Sequence, residues 1–387
     1  MKEYEYSNMN IADKEQNKKR ILLVVRWPGG GIRTFMRYVY RLFPVESYCF
    51  TLIAPNEIEM PVLLEDLAGL DLTYCPVSIN PTPMEIFRAV FRQLYSGSID
   101  IVHSQGFTSG ICAAIPASIA RVPHLLTVHE TLNHSQFSGR FGFGKRIAME
   151  AILSLVGTIQ SVSYDAQANL LEFFPILRAR CLVISNGIDV EPFQNAVPRD
   201  LRGELGLGGD YYLVGFLGRF MSPKGFIHLV DAVAQLSEQG LQKRLLVLAF
   251  GEGGFIREEK AALKDRGLES FFRFLPFTPD VAGVIKGLDL VAMPSLREAC
   301  PLLPMETLVC GIPLIASDCI GLREVVKDTP TLMVPVGNSN ALADGIRFFM
   351  EQDQRQRFIE YAPIAAMRYN VEATATAIQV LIREKVN

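Results

Sequence analysis

The sequence predicts an α/β protein made of two doubly wound domains, each with a parallel sheet covered by helices. Short apolar, β-rich runs alternate with amphipathic stretches of helical spacing from residue 21 to about residue 350. A Gly- and Pro-rich segment without a long apolar run, 186–210, interrupts this rhythm once. Strand followed by helix, repeated, gives right-handed βαβ units and hence parallel sheets. The length, 387 residues, suits two domains.

The strand-like runs fall into two series, one on each side of the interrupting segment. The first series lies at 21–25, 48–54, 71–77, 100–105, 124–130, 157–163 and 180–185. The second series lies at 211–218, 244–250, 271–277, 288–294, 312–317 and 331–336. We therefore predict domains at 21–190 and 191–367, and a helix at about 368–387 that could cap either of them.

Composition excludes several classes of protein. With 49% hydrophobic residues and a net charge of only −3, the chain is neither disordered nor a basic platform for nucleic acid. The seven cysteines form no C-x-x-C pair and have no histidines at metal-ligand spacing, so we expect reduced thiols and no metal. Residues 1–20 are polar, which predicts a flexible tail and neither a signal peptide nor a membrane anchor. The expected location is the cytoplasm.

Ligands of doubly wound sheets bind beyond the carboxyl ends of the strands, so the loops there are the first place to search. Gly29, Gly30 and Gly31 follow the first strand and precede a helix, where backbone can approach a ligand and N–H groups can face an anion. They do not complete the dinucleotide pattern G-x-G-x-x-G, because Thr34 stands at its third glycine. A tight strand-to-helix turn is the alternative. The P-loop-like 139–145 lacks the following Ser or Thr and a preceding strand.

The second domain carries the stronger signals. Gly218 and Arg219 end one strand, and Lys224 with Gly225 is predicted to open the next helix. Two cations five residues apart at the carboxyl end of a strand suit a diphosphate, although single surface charges are the alternative.

Two acids, Glu298 and Glu306, are separated by eight positions after a later strand. Glu298 falls in the loop and Glu306 on the helix that follows, where both could accept hydrogen bonds from ligand hydroxyls. Glu306 has apolar neighbours, so it needs a partner if it is buried; a pair of surface acids is the alternative.

Taken together, these features resemble a retaining glycosyltransferase of the two-domain GT-B fold, similar to the large bacterial group 1, or family 4, transferases. The matching pieces occur in family order over nearly the whole chain. They are GGGIRTF, DIVHSQG, LLTVHE, VISNGID, GRFMSPKG, FGEGG, LDLVAMPS, the E-x7-E pair and GIPLIAS. The resemblance implies two Rossmann-like domains facing a central cleft, with the first on the acceptor side, the second on the donor side, and the last helix packed back on the first domain.

The resemblance also implies roles for individual residues in donor binding. Arg219 and Lys224 match the basic pair that neutralises the donor diphosphate, beside Gly218. Glu298 matches the acid near the donor sugar hydroxyls, and Glu306 matches the acid that holds the ribose.

On the first domain, the resemblance makes His129 the histidine that lines the reaction centre. Gly30 and Gly31 match a glycine loop that closes over the phosphates, and Trp27 and Arg33 crowd it more than usual. In the second domain Pro301 departs from the pattern, because the family often has glycine there and proline has no N–H. Backbone contacts to the donor are then expected from Cys300, Leu302 or Leu303.

The implied activity is transfer of a sugar from a nucleoside-diphosphate sugar to a hydroxyl acceptor with retention, in polysaccharide, lipopolysaccharide or glycolipid assembly. His129, Glu298, Arg219 and Lys224 would be the catalytic residues, with no cofactor and no metal. The alternatives are a sugar-nucleotide epimerase or hydrolase of the same fold and a non-catalytic nucleotide-sugar binding protein. His103 and His134 are expected to have structural roles.

One further segment combines aromatic and basic residues. In 136–146, three phenylalanines alternate with Arg140, Lys145 and Arg146. Such a loop can dock on an anionic membrane surface, here the inner leaflet, or meet a lipid-linked acceptor. The alternative is a flexible loop whose phenylalanines pack into the first domain.

Overall fold

The chain forms two compact units, which are described separately. The structure, a computed structural model, describes residues 18–58, 60–239, 244–251, 253–254 and 256–386. The first unit comprises Met1–Gly187 and Val371–Asn387, and the second comprises Ile188–Asn370.

The first unit is built on a seven-stranded parallel sheet of order β3-β2-β1-β4-β5-β6-β7. Its strands are β1 Lys19–Val25, β2 Tyr48–Pro55, β3 Leu72–Val77, β4 Ile101–Gln105, β5 His124–Val128, β6 Thr158–Ser161 and β7 Cys181–Val183. The order reverses between β1 and β4, which makes the crevice beyond these two strands the switch point of the sheet. The central strands are buried on both faces. β1 and β5 are mainly apolar, whereas β4 also buries His103, Ser104 and Gln105.

Helices and short 3-10 turns connect the strands of the first unit. The helices are Gly30–Tyr40, Met60–Asp66, Pro83–Ser96, Phe107–Ala120, Gly142–Leu153, Tyr164–Phe173 and Val371–Val386, and the turns are His134–Phe137 and Pro175–Arg180. Apolar clusters fill the space between helices and sheet. One contains Leu126, Val128 and Ile159, and another contains Leu22 and Val102.

The second unit repeats this plan with a six-stranded parallel sheet of order β10-β9-β8-β11-β12-β13. Its strands are β8 Tyr211–Leu217, β9 Arg244–Phe250, β10 Phe272–Leu275, β11 Leu290–Met293, β12 Leu314–Ser317 and β13 Leu332–Val334. Its helices are Glu191–Asn195, Leu201–Glu204, Phe226–Glu238, Ile256–Asp265, Val281–Gly287, Leu303–Val309, Leu322–Val326, Ser339–Glu351 and Arg355–Tyr369, with 3-10 turns at Ser222–Lys224 and Glu269–Phe271. The switch point lies between β8 and β11.

The last helix, Val371–Val386, belongs to the first unit. Its Ile378 and Ile382 are completely buried, Gln379 donates to the carbonyl of Leu42 at 3.0 Å, and Arg383 donates to the hydroxyl of Tyr48 at 3.0 Å. Asn387 lies outside the described residues.

The boundaries between units differ by three residues from those predicted at 190 and 367. Ile188 pairs with Asn370 in an isolated parallel bridge, and its N–H donates to the carbonyl of Tyr369 at 2.7 Å. Because of these backbone contacts, Ile188 and Asn370, where the chain enters and leaves the second unit, both belong to that unit.

The sequence predicted a flexible tail over residues 1–20, and the predicted end of this tail is wrong. β1 begins at Lys19, because Lys19 and Arg20 extend the pairing with β2 and the N–H of Arg20 donates to Asp100 at 2.7 Å. Residues 1–17 lie outside the described part of the chain. No described helix combines the length and the apolar character that crossing a bilayer requires.

Candidate active site

The switch point of the second unit brings the predicted donor residues to one edge of its sheet. Gly218 and Arg219 directly follow β8, and Glu298 follows β11, the neighbouring strand. Because the strands are parallel, their carboxyl ends meet at this edge. Gly218 and Glu298, eighty positions apart in sequence, are thereby placed in loops at the same edge of the sheet.

An ion pair joins the two loops. Lys224 Nζ lies 2.8 Å from Glu298 Oε1, and the hydroxyl of Ser295 donates to the same oxygen at 2.8 Å. Both partners are partly buried, with side-chain exposures of 27% for Lys224 and 11% for Glu298. Within the described residues these contacts converge on Oε1, so Oε2 keeps its capacity to accept hydrogen bonds from a ligand.

The sequence predicted that Lys224 would lie at the start of the helix. In the structure Lys224 lies in a 3-10 turn just before it. The helix begins at Phe226, and Gly225 caps it with φ +65°. A Cβ on Gly225 would lie 2.0 Å from the carbonyl oxygen of Pro294. The two loops approach so closely that only glycine fits, and this approach brings Lys224 to Glu298.

Backbone hydrogen bonds fix the loop that carries Glu298. The N–H of Leu296 donates to the carbonyl of Pro223 at 2.8 Å, and the N–H of Glu298 donates to the carbonyl of Ile320 at 3.1 Å. The hydroxyl of Ser317 donates to the carbonyl of Ser295. The carboxylate is therefore held from three neighbouring segments and is preorganised.

Arg219 differs from Lys224 in its surroundings. Its side chain is exposed, and its guanidinium makes no ion pair with the described residues. The predicted basic pair is thus one positioned cation and one cation open to solvent. Such a cation is accessible to an anionic ligand.

The remaining predicted donor residues lie on or before the helix Leu303–Val309. Glu306 is 9% exposed and Cys300 is 7% exposed, whereas Leu302 and Leu303 are half-buried. Glu306 thus lies on the inner side of the helix and is not a surface acid, which removes that alternative. In the FGEGG motif, Glu252 lies outside the described residues.

The first unit places the glycine loop at its own switch point. Gly29 is the N-cap of the helix Gly30–Tyr40 and, as a glycine, has no side chain that could bond the first N–H groups. A Cβ on Gly31 would meet nothing within 4 Å, so open space adjoins the backbone there. This geometry leaves helix N–H groups available to an anion.

The cations flanking this loop are already paired with acids. Arg26 Nη1 lies 3.5 Å from Glu57 Oε1, and Arg33 Nε lies 3.3 Å from Asp66 Oδ2. The guanidinium of Arg26 also lies 4.0 Å from the ring centre of Trp27, which is half exposed. Arg33 is thus directed to Asp66.

His129 follows β5, and its ring is held from two sides. Its Nε2 lies 2.7 Å from Gln105 Oε1, and the Phe35 ring packs edge-on at 4.8 Å between centroids. Phe35 belongs to the helix that starts at the glycine loop. Desolvation lowers the pKa of His129 well below its usual range, so the ring is neutral at pH 7.

The two histidines expected to be structural differ in surroundings. His103 is completely buried and hydrogen-bonded to Tyr40 and Thr127, whereas His134 is exposed and lies 3.2 Å from Glu172.

The segment 136–146 is not a continuous loop. It starts in a 3-10 turn and enters the helix Gly142–Leu153, which corrects the prediction of a loop over the whole segment. Phe137 packs against Phe173 with ring centroids 5.4 Å apart, as the alternative predicted. Phe141 and Phe143 remain 80% and 69% exposed.

Sequence reasoning missed several partners of these residues. Ser295 and Gln105 lie inside the motifs LDLVAMPS and DIVHSQG but were not singled out, and Tyr40 lies in none of the motifs. A signal for Ser295 was its position three residues before Glu298, in the same loop. Among the described residues no group of three His, Cys, Asp or Glu side chains is placed to hold a metal ion.

Comparison with known proteins identifies the family. Residues 198–364 match the model "Glycosyl transferases group 1", and residues 30–192 match the model "Glycosyltransferase Family 4". A "D-inositol 3-phosphate glycosyltransferase" from Corynebacterium urealyticum is 28% identical over 324 residues, which cover 78% of this chain and 76% of that protein.

Solved structures share the fold at lower identity. HepE from Anabaena in complex with UDP-glucose matches with a TM-score of 0.78 and 21% identity, covering 94% of this chain and 99% of that one. A glycosyltransferase from Rickettsia africae matches with a TM-score of 0.77 and 18% identity, covering 96% and 99%. Two Rossmann-like units, with family models matched in both, show that the chain is an enzyme of the group 1 glycosyltransferases, with the GT-B fold.

Proposed function

We propose that the enzyme transfers a sugar from a nucleoside-diphosphate sugar to a hydroxyl acceptor with retention of the anomeric configuration. The observation that carries the proposal is the ion pair between Lys224 and Glu298 at the switch point of the second unit, beside the exposed Arg219. In a glycosyl phosphate, sugar hydroxyls and a phosphate are close neighbours. A cation that can bind the phosphate and an acid that can bind the hydroxyls lie 2.8 Å apart here, which suits such a ligand.

The chemistry of the leaving group assigns the roles of the cations. Breaking the glycosyl–phosphate bond leaves the bonding electrons on the diphosphate, whose negative charge grows in the transition state. Lys224 and Arg219 stabilise that charge. The ion pair with Glu298 holds Lys224 in place before the donor arrives, so little reorganisation is needed.

The acids and backbone groups bind the rest of the donor. Glu298 accepts hydrogen bonds from sugar hydroxyls through Oε2, and Glu306 holds the ribose. Backbone N–H groups of Cys300, Leu302 and Leu303 contact the donor, and the helix start at Gly30 and Gly31 offers N–H groups to an anion. No cofactor or metal enters this proposal, because the two cations compensate the charge.

The acceptor is a hydroxyl compound, for which the relatives suggest one candidate. Several relatives are named for D-inositol 3-phosphate as substrate. In this chain the cations beside the glycine loop, Arg26 and Arg33, are paired with Glu57 and Asp66. A phosphorylated acceptor would have to compete with these acids, which favours a neutral hydroxyl acceptor of polysaccharide, lipopolysaccharide or glycolipid assembly.

A product assay tests the proposal. The full chain is incubated with UDP-glucose, GDP-glucose or ADP-glucose as the donor. The acceptors are neutral sugars, lipid-linked sugars and D-inositol 3-phosphate. A glycoside that keeps the donor's anomeric configuration is expected. Free sugar alone or an epimer would favour a hydrolase or an epimerase, and an inverted glycoside would contradict retention. Addition of a chelator is expected to leave the rate unchanged.

Thermal shift measurements separate binding from turnover. A nucleotide that binds only the folded state at 100 times its Kd stabilises it by about 2.7 kcal/mol. Stabilisation by donor without any product would favour a non-catalytic binding protein.

The exposed aromatic residues extend the proposal to the inner membrane face. Phe141 and Phe143 project beside Arg140 and Arg146, whose cations lie about 6 Å from these rings, at 6.0 and 5.8 Å. Apolar rings beside cations suit an anionic lipid surface. Co-sedimentation with vesicles of phosphatidylglycerol is expected, and the double variant Phe141→Ser with Phe143→Ser should lose it. Equal sedimentation with neutral vesicles would contradict the electrostatic part.

A further inference from the structure

A continuous line of hydrogen bonds crosses the carboxyl end of the first unit's sheet and ends at His129. It runs over three neighbouring strands, β4, β5 and β6, and one helix. We call its side chains the polar relay; they are Tyr40, His103, Gln105, Thr127 and Gln160. All five are at most 1% exposed, so no solvent intervenes.

The backbone fixes the direction of the first bonds. Gln160 Nε2 lies 3.1 Å from the carbonyl oxygen of Ile184, which can only accept. The amide group of Gln160 is therefore turned toward Ile184, and its Oε1 faces Thr127 at 2.9 Å. Since Oε1 can only accept, the hydroxyl of Thr127 donates to it.

The same reasoning fixes the proton on His103. The Thr127 hydroxyl has given its single hydrogen to Gln160, so it accepts from His103 Nε2 at 2.8 Å. His103 thus carries its proton on Nε2, and its Nδ1 accepts from the hydroxyl of Tyr40 at 2.9 Å. Burial lowers the pKa of His103 to about 3, which keeps the ring neutral with one proton.

The last two hydrogen bonds fix which ring nitrogen of His129 carries the proton. The Tyr40 oxygen accepts from Gln105 Nε2 at 2.8 Å, because its own hydrogen points to His103. Gln105 Oε1 then faces His129 Nε2 at 2.7 Å and requires a hydrogen there. Every bond in the line follows from the single carbonyl of Ile184.

We infer that the polar relay holds His129 in the tautomer protonated on Nε2, so that Nδ1 offers a lone pair to a ligand hydroxyl. The inference rests on the proposed function for the identity of that ligand, a sugar or acceptor hydroxyl. Within the described residues the imidazole makes no second hydrogen bond. Nδ1 can accept from an O–H group and cannot pair with a carboxylate or a phosphate oxygen, which selects a hydroxyl at this point of the substrate.

The members of the relay are positioning residues, since they act through His129. Their loss changes the proton position, which a merely structural role would leave alone. The adjacent pair of Ser104 and His124 offers a matched control. It joins a hydroxyl to His124 Nε2 at 2.8 Å on the same two strands, β4 and β5, and is also buried. Within the described residues no side-chain hydrogen bond links this pair to the relay.

The test is the tautomer of His129 by two-bond proton–nitrogen correlation on the full chain labelled with ¹⁵N-histidine. The chain has five histidines, and His129→Asn identifies the His129 signals. In the wild type a pyrrole-type Nε2 and a pyridine-type Nδ1 are expected. A proton on Nδ1 would overturn the inference.

Thr127→Val keeps the shape of the side chain but removes the hydroxyl that connects Gln160 to His103. The direction of the line is then no longer fixed, and the Nδ1 and Nε2 shifts of His129 should move toward each other. Thr127→Ser should restore the wild-type shifts, and Ser104→Ala should leave them unchanged. Unchanged shifts in Thr127→Val would overturn the inference. Should that variant fail to fold, Tyr40→Phe breaks the line at another bond with the same expected result.

Kinetics connect the tautomer to turnover. Thr127→Val is expected to lower kcat/KM about 10-fold, the scale of one misdirected hydrogen bond, with Thr127→Ser near wild type and Ser104→Ala within about two-fold. An unchanged kcat/KM in Thr127→Val would contradict the functional part. A wild-type enzyme without transfer activity would refute the proposed function, whereas the nitrogen shifts would still decide the relay.

Discussion

The two switch points have the same topology and opposite chemistry. In each unit the strand order reverses beside the first strand, at β1 and β4 or at β8 and β11. Beside this position, from β4 to β6, the first unit has buried neutral side chains whose hydrogen bonds run in one direction and end at His129. The second unit fills it with an ion pair between Lys224 and Glu298.

The difference shows how one sheet plan can carry two kinds of polar site. A neutral relay controls where a single proton resides and carries no net charge, which suits recognition of hydroxyl groups. An ion pair with one exposed neighbouring cation suits the growing charge of a diphosphate. The fold supplies the edge, and the residues after each strand decide what that edge recognises.

The largest expected contrast is acid sensitivity. Burial lowers the pKa of His103 and His124 from 6.5 to about 3, and both lie in the first unit. The unfolded chain binds protons near pH 6.5 while the folded chain does not, so stability falls as pH decreases below 6.5. The loss is about 2 kcal/mol per histidine by about pH 5.

Urea unfolding at pH 7 and about pH 5 measures this contrast. His129 has a lowered pKa as well, so His124→Asn should reduce the pH dependence by about a third. His134→Asn, at an exposed site, should not change it. Equal stability of the wild type at both pH values would contradict the assignment of buried neutral rings.

The next contrast is catalytic and concerns the ion pair of the second unit. Lys224→Met and Glu298→Gln should each lower kcat/KM about 10²-fold, because each removes a contact that strengthens in the transition state. The control is Asp231→Asn, which breaks the exposed pair with Arg266 at 2.7 Å in the same unit. It should change kcat/KM less than two-fold. Near-normal transfer by both Lys224→Met and Glu298→Gln would remove this switch point from the reaction.

The smallest expected effect concerns the close approach that positions Lys224. Gly225 and Gly267 have nearly the same φ, +65° and +67°, but only Gly225 has a neighbour within 4 Å of an added Cβ. Both changes to alanine incur the strain of positive φ, about 1 kcal/mol. Gly225→Ala should lose about 2 kcal/mol more in the free energy of unfolding, measured in urea at pH 7. Equal losses would mean that the loops separate without cost.

Much of the fold could be predicted from the sequence, because buried parallel strands are short continuous apolar runs. ILLVV became β1 and RLLVLAF became β9, and the Rossmann-like fold with two parallel sheets is confirmed. The end of the tail was wrong, since the pairing of Lys19 with Tyr48 depends on a strand that is distant in sequence. The helix start at Lys224 was wrong because a 3-10 turn and Gly225 intervene.

Of the candidate site, the sequence predicted the residues that lie in motifs but not the contacts between them. Arg219, Lys224 and Glu298 follow strands and could be placed at one edge from topology alone. The contact between Lys224 and Glu298 depends on the loop approach at Gly225. The bond between Thr127 and Gln160 depends on the register of β5 and β6, which no local pattern encodes. The roles of all these residues in transfer stay predictions.

The last helix gives the chain an order of assembly during synthesis. The first unit contains the start and the end of the chain, whereas the second is one uninterrupted segment, Ile188–Asn370. A ribosome releases every residue of the second unit before the helix Val371–Val386 emerges, so Ile378 and Ile382 reach their buried positions last. A stop codon at the start of this helix would consequently leave the second unit complete but remove Ile378 and Ile382 from the core of the first unit, which would then expose apolar surface to chaperones and proteases.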